Sequence, residues 1–208
     1  MANVDSPHGF KVWGELLRAR LYAVNTAPTI NVAVGDMVAS GNSGLSCTKG
    51  NGTLLMIEDA NIIPATPGDA TPLLGVVLAC YDENMFPYNN APSGYIAAGE
   101  VGDGTVAGYV LVADHPDQQF EAQADGAITA ANIDLNHEIT SATLSAPNSA
   151  TGISTQEVAA AGSKVTATIP LRLYGQAYPE LDAIDAAGCR WVVGINPDCH
   201  YWAAGTAI

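Results

Sequence analysis

The sequence predicts a mainly β protein, a β-sandwich or β-barrel of about nine short strands with long loops and one short helix. Three observations predict it. Short apolar runs rich in Val, Ile, Ala and Thr are closed by turn residues about every ten positions. The 21 glycines and 12 prolines are spread along the 208 residues, supplying turns throughout. No helical apolar period is sustained long enough for a long helix. The organisation expected is an N-terminal arm over 1–13 and a single β-rich domain over 14–208.

Met1 to Phe10 (MANVDSPHGF) holds a Pro and a Gly but no apolar period, so it reads as an arm ordered by what it touches. From Glu15 to Val24, Leu17, Ala19, Leu21 and Ala23 alternate with Arg18, Arg20, Tyr22 and Val24, which favours a strand over a helix. Ile30 to Val34 alternates and then meets the turn dipeptide Gly35-Asp36. Ser40 to Gly52 is Gly- and Asn-rich loop, Thr53 to Ile57 a short buried strand, and Ile63 to Pro72, with its three prolines, a surface loop.

Leu73 to Cys80 is the most apolar run and reads as a central strand. Tyr81 to Gly94 is an aromatic, Asn- and Pro-rich excursion, and Glu100 to Gly108 a glycine-rich turn region leading into a buried strand, Tyr109 to Ala113. After the turn Asp114 to Asp117, Gln119 to Gln123 alternates strictly and is expected to be half-solvated. Ile128 to Ile139 is the helix candidate, one or two turns capped by Thr129. The Ser/Thr-rich stretch 140–162 reads as loop with a helical turn near Thr155 to Ala161. Val165 to Tyr174 is an edge or bulged strand because of Pro170, and Arg190 to Ile195 is the last strand, ended by Asn196-Pro197-Asp198.

Seven Lys+Arg against 21 Asp+Glu leave a formal charge of −14, which argues against a protein whose affinity would rest on neutralising phosphates. No run of about 18 apolar residues and no basic-then-apolar start are present, so the expectation is neither membrane span nor secretory signal, and synthesis in a cytoplasm. Cys47, Cys80, Cys189 and Cys199 lack zinc spacing and are expected to be reduced, buried thiols. GxSxG, HExxH and P-loop patterns are absent, and the Gly99 to Gly104 cluster neither follows a strand nor opens a helix. His115 and His137 have carboxylate neighbours in sequence, but adjacent strand residues point to opposite faces. The expectation is no catalysis, no cofactor and no metal.

The aromatics lie largely outside the central strands. Phe10, Trp13, Tyr81, Phe86, Tyr88, Tyr201 and Trp202 are the candidates for a partner interface, since aromatic rings bury much area with few rotors. Closing the ends of the barrel is the alternative use of the same residues.

Gly108 to Gln123 (GYVLVADHPDQQFEAQ), then Ile133 to Asn136, a Ser/Thr-rich loop, Leu171 to Gly175 and Trp191 to Asn196, resembles a group of capsid cement, or decoration, proteins of tailed bacteriophages. The likeness covers about the C-terminal half, in segment order, and Gly75-Val76-Val77 upstream also fits. It is a strand-turn-strand signature rather than a chemical motif, so it implies a fold more than an activity. The resemblance implies binding to the major capsid protein on the outer capsid surface, as a homotrimer and without catalysis. A phage surface module engaging host glycans through Tyr81 to Tyr95 is the alternative.

Overall fold

The computed structural model describes residues 3–28, 31–41, 57–58, 61–64, 72–88, 94–104, 106–140, 147–148, 150–161 and 169–202. Its strands are β1 (Lys11–Trp13), β2 (Ala19–Asn25), β3 (Met37–Gly41), β4 (Ile57–Glu58), β5 (Asn61–Pro64), β6 (Leu73–Tyr81), β7 (Val106–Ala113), β8 (Gln119–Gln123), β9 (Asn136–His137), β10 (Leu171–Gln176) and β11 (Arg190–Ile195). Nine of these have three or more residues. They form a sandwich of two sheets, one ordered β1-β8-β11-β10-β9 and the other β4-β2-β7-β6-β3-β5. Pairing is antiparallel except between β2 and β4.

The main core lies between the sheets. Phe120 and Ala122 of β8, Leu171 and Leu173 of β10 and Trp191, Val193 and Ile195 of β11 meet Met37, Leu73, Val76 and Ala113 from the second sheet. A second core covers that sheet's other face, where Tyr22, Val24, Leu74, Val77, Val110 and Val112 pack under Val32 and Ile96. Two buried faces explain why β6 and β7 read as continuous apolar runs rather than alternating ones. At Gly75 the backbone of β7 comes so close that a Cβ would collide with the carbonyl of Ala113, so only glycine fits there.

Several expectations change. The Ile128 to Ile139 helix is one 3-10 turn, Ala130–Asn132, followed by β9; Ile128 and Ile139 are drawn into the core from extended backbone, which a continuous helix would not allow. Thr129 gives no side-chain cap, its hydroxyl donating instead to Asn132 Oδ1 at 3.0 Å. Near Thr155 to Ala161, Val158 bridges Ala124 and Ile139 in place of a helical turn. Val32 and Val34 make isolated bridges rather than a strand. Asn61–Pro64, expected in part as loop, is an edge strand on β3, with Pro64 at its last position, where proline is tolerated. The expected strand residues Thr53 to Met56 and 165–168, and the expected loop residues 42–52 and 65–71, lie outside the described residues. Among the described residues no helix is long and apolar enough to cross a membrane.

The largest correction concerns the N-terminus. Residues 11–13 are a strand, pairing Lys11, Val12 and Trp13 with Glu121, Phe120 and Gln119. Phe10 is 1% exposed and belongs to the main core, its N–H donating to Gly35 O at 2.8 Å. The arm also covers β8, which is why Glu121 and Gln123, expected in solvent, are buried.

Candidate functional site

Strand alternation sends Phe120 and Ala122 inward, so Glu121 and Gln123 face out beneath the arm. The Gln123 amide reads the arm's backbone in both directions, accepting from Ser6 N–H (3.1 Å) and donating to Val4 O (2.8 Å). Asn3 does the same to the loop after β10, donating to Ala183 O and accepting from Ala183 N–H at 3.0 and 2.7 Å. Between arm, β8, β11 and that loop lies a cavity of about 540 Å³.

Its charged groups are paired across elements. Arg190 of β11 donates through two nitrogens to Asp182, at 2.8 and 2.9 Å, and lies 4.1 Å over the Tyr178 ring. Tyr178 donates to Glu121 Oε2 at 3.1 Å, while His8 Nε2 lies 3.1 Å from Glu121 Oε1. The His8 hydrogen bond holds Glu121 below the usual carboxylate range against the opposing effect of burial, and the Arg190 bonds do the same for Asp182. Lys11 is exposed and also lines the cavity. Val4 and Leu181, 78% and 62% exposed, line it among mostly polar and charged residues.

A second polar centre lies at the start of the second sheet. Arg18, Arg20 and Tyr22 fall at every other position, so their side chains share one face, and all three converge on Asp114 just beyond β7. Asp114 is fully buried, with Arg18 Nε at 2.8 Å and Arg20 Nε at 2.5 Å. Burial first, then the bond to Asp114, keeps the Tyr22 phenol far above its ordinary titration range. Trp202 closes this centre, its ring 4.0 Å under the Arg20 guanidinium.

The seven aromatic candidates separate by burial. Phe10 is in the main core, so in this conformation it is not an accessible anchor. Tyr88, Tyr201 and Trp202 pack against the second core, on the outer face of the second sheet. Trp13 is half-buried and meets Tyr178 edge-on, centroids 5.5 Å apart; Tyr81 is half-buried in β6. Phe86 alone among the seven stands out, 67% exposed. Asp82 fixes the loop that carries it: Oδ1 accepts from the N–H groups of Asn84 and Phe86 at 2.9 and 2.8 Å, and its own N–H donates to Phe86 O.

The cavity residues Glu121, Tyr178, Asp182 and Arg190 were not legible as a site. Their partners in the arm are more than a hundred positions away in some cases, and the only local signal, the polar phase of Gln119 to Gln123, reads equally as solvent exposure. The Arg18, Arg20, Tyr22 stripe was visible in the alternation, but not its target. His137 bonds Ala159 O through Nδ1, and His115 accepts from Asp117 N–H; among the described residues no group of three or more His, Cys, Asp or Glu is arranged to hold a metal. Cys80 and Cys189 are buried, which pushes their thiols up to about 12 and about 11. Comparison with family models, with curated proteins and with solved structures finds no match.

Proposed function

We propose that the protein is a non-enzymatic virion structural protein, a cement protein that binds the outer surface of a tailed-phage head and bridges major capsid subunits. The observation that carries this reading is the presentation of apolar side chains on hydrogen-bonded segments at two separate faces: Phe86 outside the second sheet, and Val4 and Leu181 outside the first. A rigid support lowers the ordering cost of binding, and two patches used at once gain effective concentration that one weak patch lacks.

The charge pattern supports the same reading. Arg18 and Arg20 are committed to Asp114 and Arg190 to Asp182, so the outward field of a −14 chain is strongly acidic. Such a protein is repelled by packaged DNA and suits an outer surface, where like charge keeps particles apart. The glycan alternative loses support, because Tyr81 and Tyr88 are half-buried rather than displayed as stacking platforms.

The test is co-sedimentation of purified protein with particles assembled without it, followed by release in mild denaturant. Saturable binding at a fixed number of copies per capsid subunit is expected. Protein left in the supernatant at micromolar concentration rejects the reading.

A further inference from the structure

Residues 3–8 cross the outer face of the first sheet as a strap whose hydrogen bonds each use a side chain. Gln123 bonds Ser6 N–H and Val4 O, Asn3 reaches Ala183 and Ala187, and His8 meets Glu121. Among the described residues no backbone-to-backbone hydrogen bond joins 3–8 to another segment. The fixed end is Gly9-Phe10: a Cβ at Gly9 would lie 2.6 Å from both Gly35 O and Ser154 Cβ, and Phe10 is in the main core. A segment tied in this way belongs to the least stable part of a fold and can open while the rest stays folded.

A buried acid lies beside it. Gln123 bonds the strap through its side chain and accepts from Val158 N–H through its carbonyl, so the segment carrying Glu157 runs alongside residues 4–6. Thr140 fixes that segment, its hydroxyl accepting from Glu157 N–H at 3.1 Å and its own N–H donating to Glu157 O at 3.0 Å. Glu157 is 8% exposed, its Oε1 is buried without a hydrogen-bond partner, and among the described residues no cation pairs with it. The charges that face it are Asp5 of the strap and Asp125 just beyond β8. Burial first, then these two carboxylates, raise its carboxyl from the ordinary 4.5 to about 7. The other ionisable groups along the strap are His8 on Glu121, which Tyr178 also bonds, and exposed Lys11 nearby, while Arg190 and Asp182 bond each other.

We propose that residues 3–8 are a pH-gated strap, closed in acid and opening from the Gly9-Phe10 end outward as pH rises towards neutrality, with Glu157 beside Asp5 as the group that gates it. Protonated, Glu157 leaves the closed strap over a neutral group. Ionised, it stands dry between two like charges, and lifting the strap takes Asp5 away and admits water. The closed form therefore holds the Glu157 proton more tightly than the open one. The advantage this gives the closed form is complete below 4.5, falls as pH rises towards about 7 and is gone above it. Four residues that line the cavity, Asn3, Val4, Ser6 and His8, belong to the strap, so opening joins the cavity to solvent and uncovers Glu121 and Gln123 of β8. The gating does not depend on what the protein binds.

Amide exchange followed by NMR on the full chain tests it, from about pH 5 to about pH 8, each rate being divided by that of an unstructured peptide at the same pH. Ser6 N–H, bonded to Gln123, reads the strap, and Val112 N–H, within β7, reads the whole fold. Ser6 protection is expected to fall by up to about tenfold per pH unit until about pH 7 and then level off, with Val112 exchanging far more slowly throughout. Glu157→Gln keeps the group neutral and is expected to make Ser6 protection flat across the range. Asp5 is exposed, so Asp5→Asn is expected to fold as wild type and to lessen the fall, which keeps the test decisive if Glu157→Gln does not fold. Ser6 protection that is independent of pH in wild type, or Ser6 exchanging only together with Val112, overturns the proposal. So does a fall that both variants leave unchanged, and one that His8→Gln alone abolishes would place the gate on the His8–Glu121 contact instead.

Discussion

Asp114 shows how one buried residue fixes the electrostatics around it. With two guanidiniums and a phenol directed at a carboxylate that is fully buried, the charge cannot be removed without leaving cations facing a neutral group. Asp114→Asn is therefore expected to cost about 3–5 kcal/mol, nearer the lower end because Arg18 is partly solvated, and denaturant titration reads it. Asp36 works in the opposite sense. Its Oδ2 accepts from Ala33 N–H at 2.7 Å, but burial outweighs that bond and the one from Ser154, and the carboxyl is pushed up to about 7. Glu157 is raised to about 7 by burial first and then by Asp5 and Asp125. For both acids the folded state holds the proton more tightly than the unfolded chain, so stability falls as pH rises from about 4 to about 7 and stays low above it. His200, lowered to about 4 by burial, loses stability as pH falls from 6.5 towards 4, offsetting one of the two acids. With one of the two acids left uncompensated, the melting temperature is thus expected to rise as pH falls from about 7 to about 4. Asp36→Asn should raise it at pH 8 by several degrees, about 1 kcal/mol being worth ~2–4 °C in a domain of this size. No gain at pH 8 would mean that Asp36 is not the buried charge responsible.

At the scale of elements, legibility followed the source of order. The runs 73–80, 109–113 and 190–195 were readable as strands because their own β-branched, apolar composition suits the centre of a sheet. The arm was not, because nothing local orders it: Gln123 holds its backbone from a distant position, its own Asn3 reaches to Ala183, and Phe10 fills a core made by other strands. The 128–139 segment misled for a related reason, since Ile128 and Ile139 are placed by strand neighbours rather than by helical spacing. For the interface candidates, composition marked the aromatics but not which of them the second core consumes. Deleting residues 1–10 is accordingly expected to lower the melting transition rather than leave it unchanged, and Phe10→Ala alone to cost about 3–5 kcal/mol. A truncated protein that melts with wild type would show that the arm is dispensable to the core.

For the whole molecule, the balance between charge and apolar area decides what kind of contact it makes. Seven basic residues oppose 21 acidic ones, and three of the seven are held by buried or nearly buried carboxylates within the fold. Few cations are left for an ionic bond to an acidic partner. Exposed Phe86, Val4 and Leu181 instead offer apolar surface, worth about 25 cal/mol for each Å² removed from water. Single patches of this size do not repay the several kcal/mol that association costs, so under the proposed cement function affinity for a capsid would come from spanning more than one subunit. Decorated particles are then expected to withstand higher temperature than bare ones, because opening the shell must break the bridges as well. The increment should change little between about 0.1 M and about 1 M salt, over which the Debye length falls from ~10 to ~3 Å, since an apolar contact is not screened. Particle melting followed by light scattering, with and without the protein, measures both quantities. Bare and decorated particles that melt together would remove the cement reading. An increment that collapses in high salt would place the contact on charged groups instead of on the exposed apolar ones.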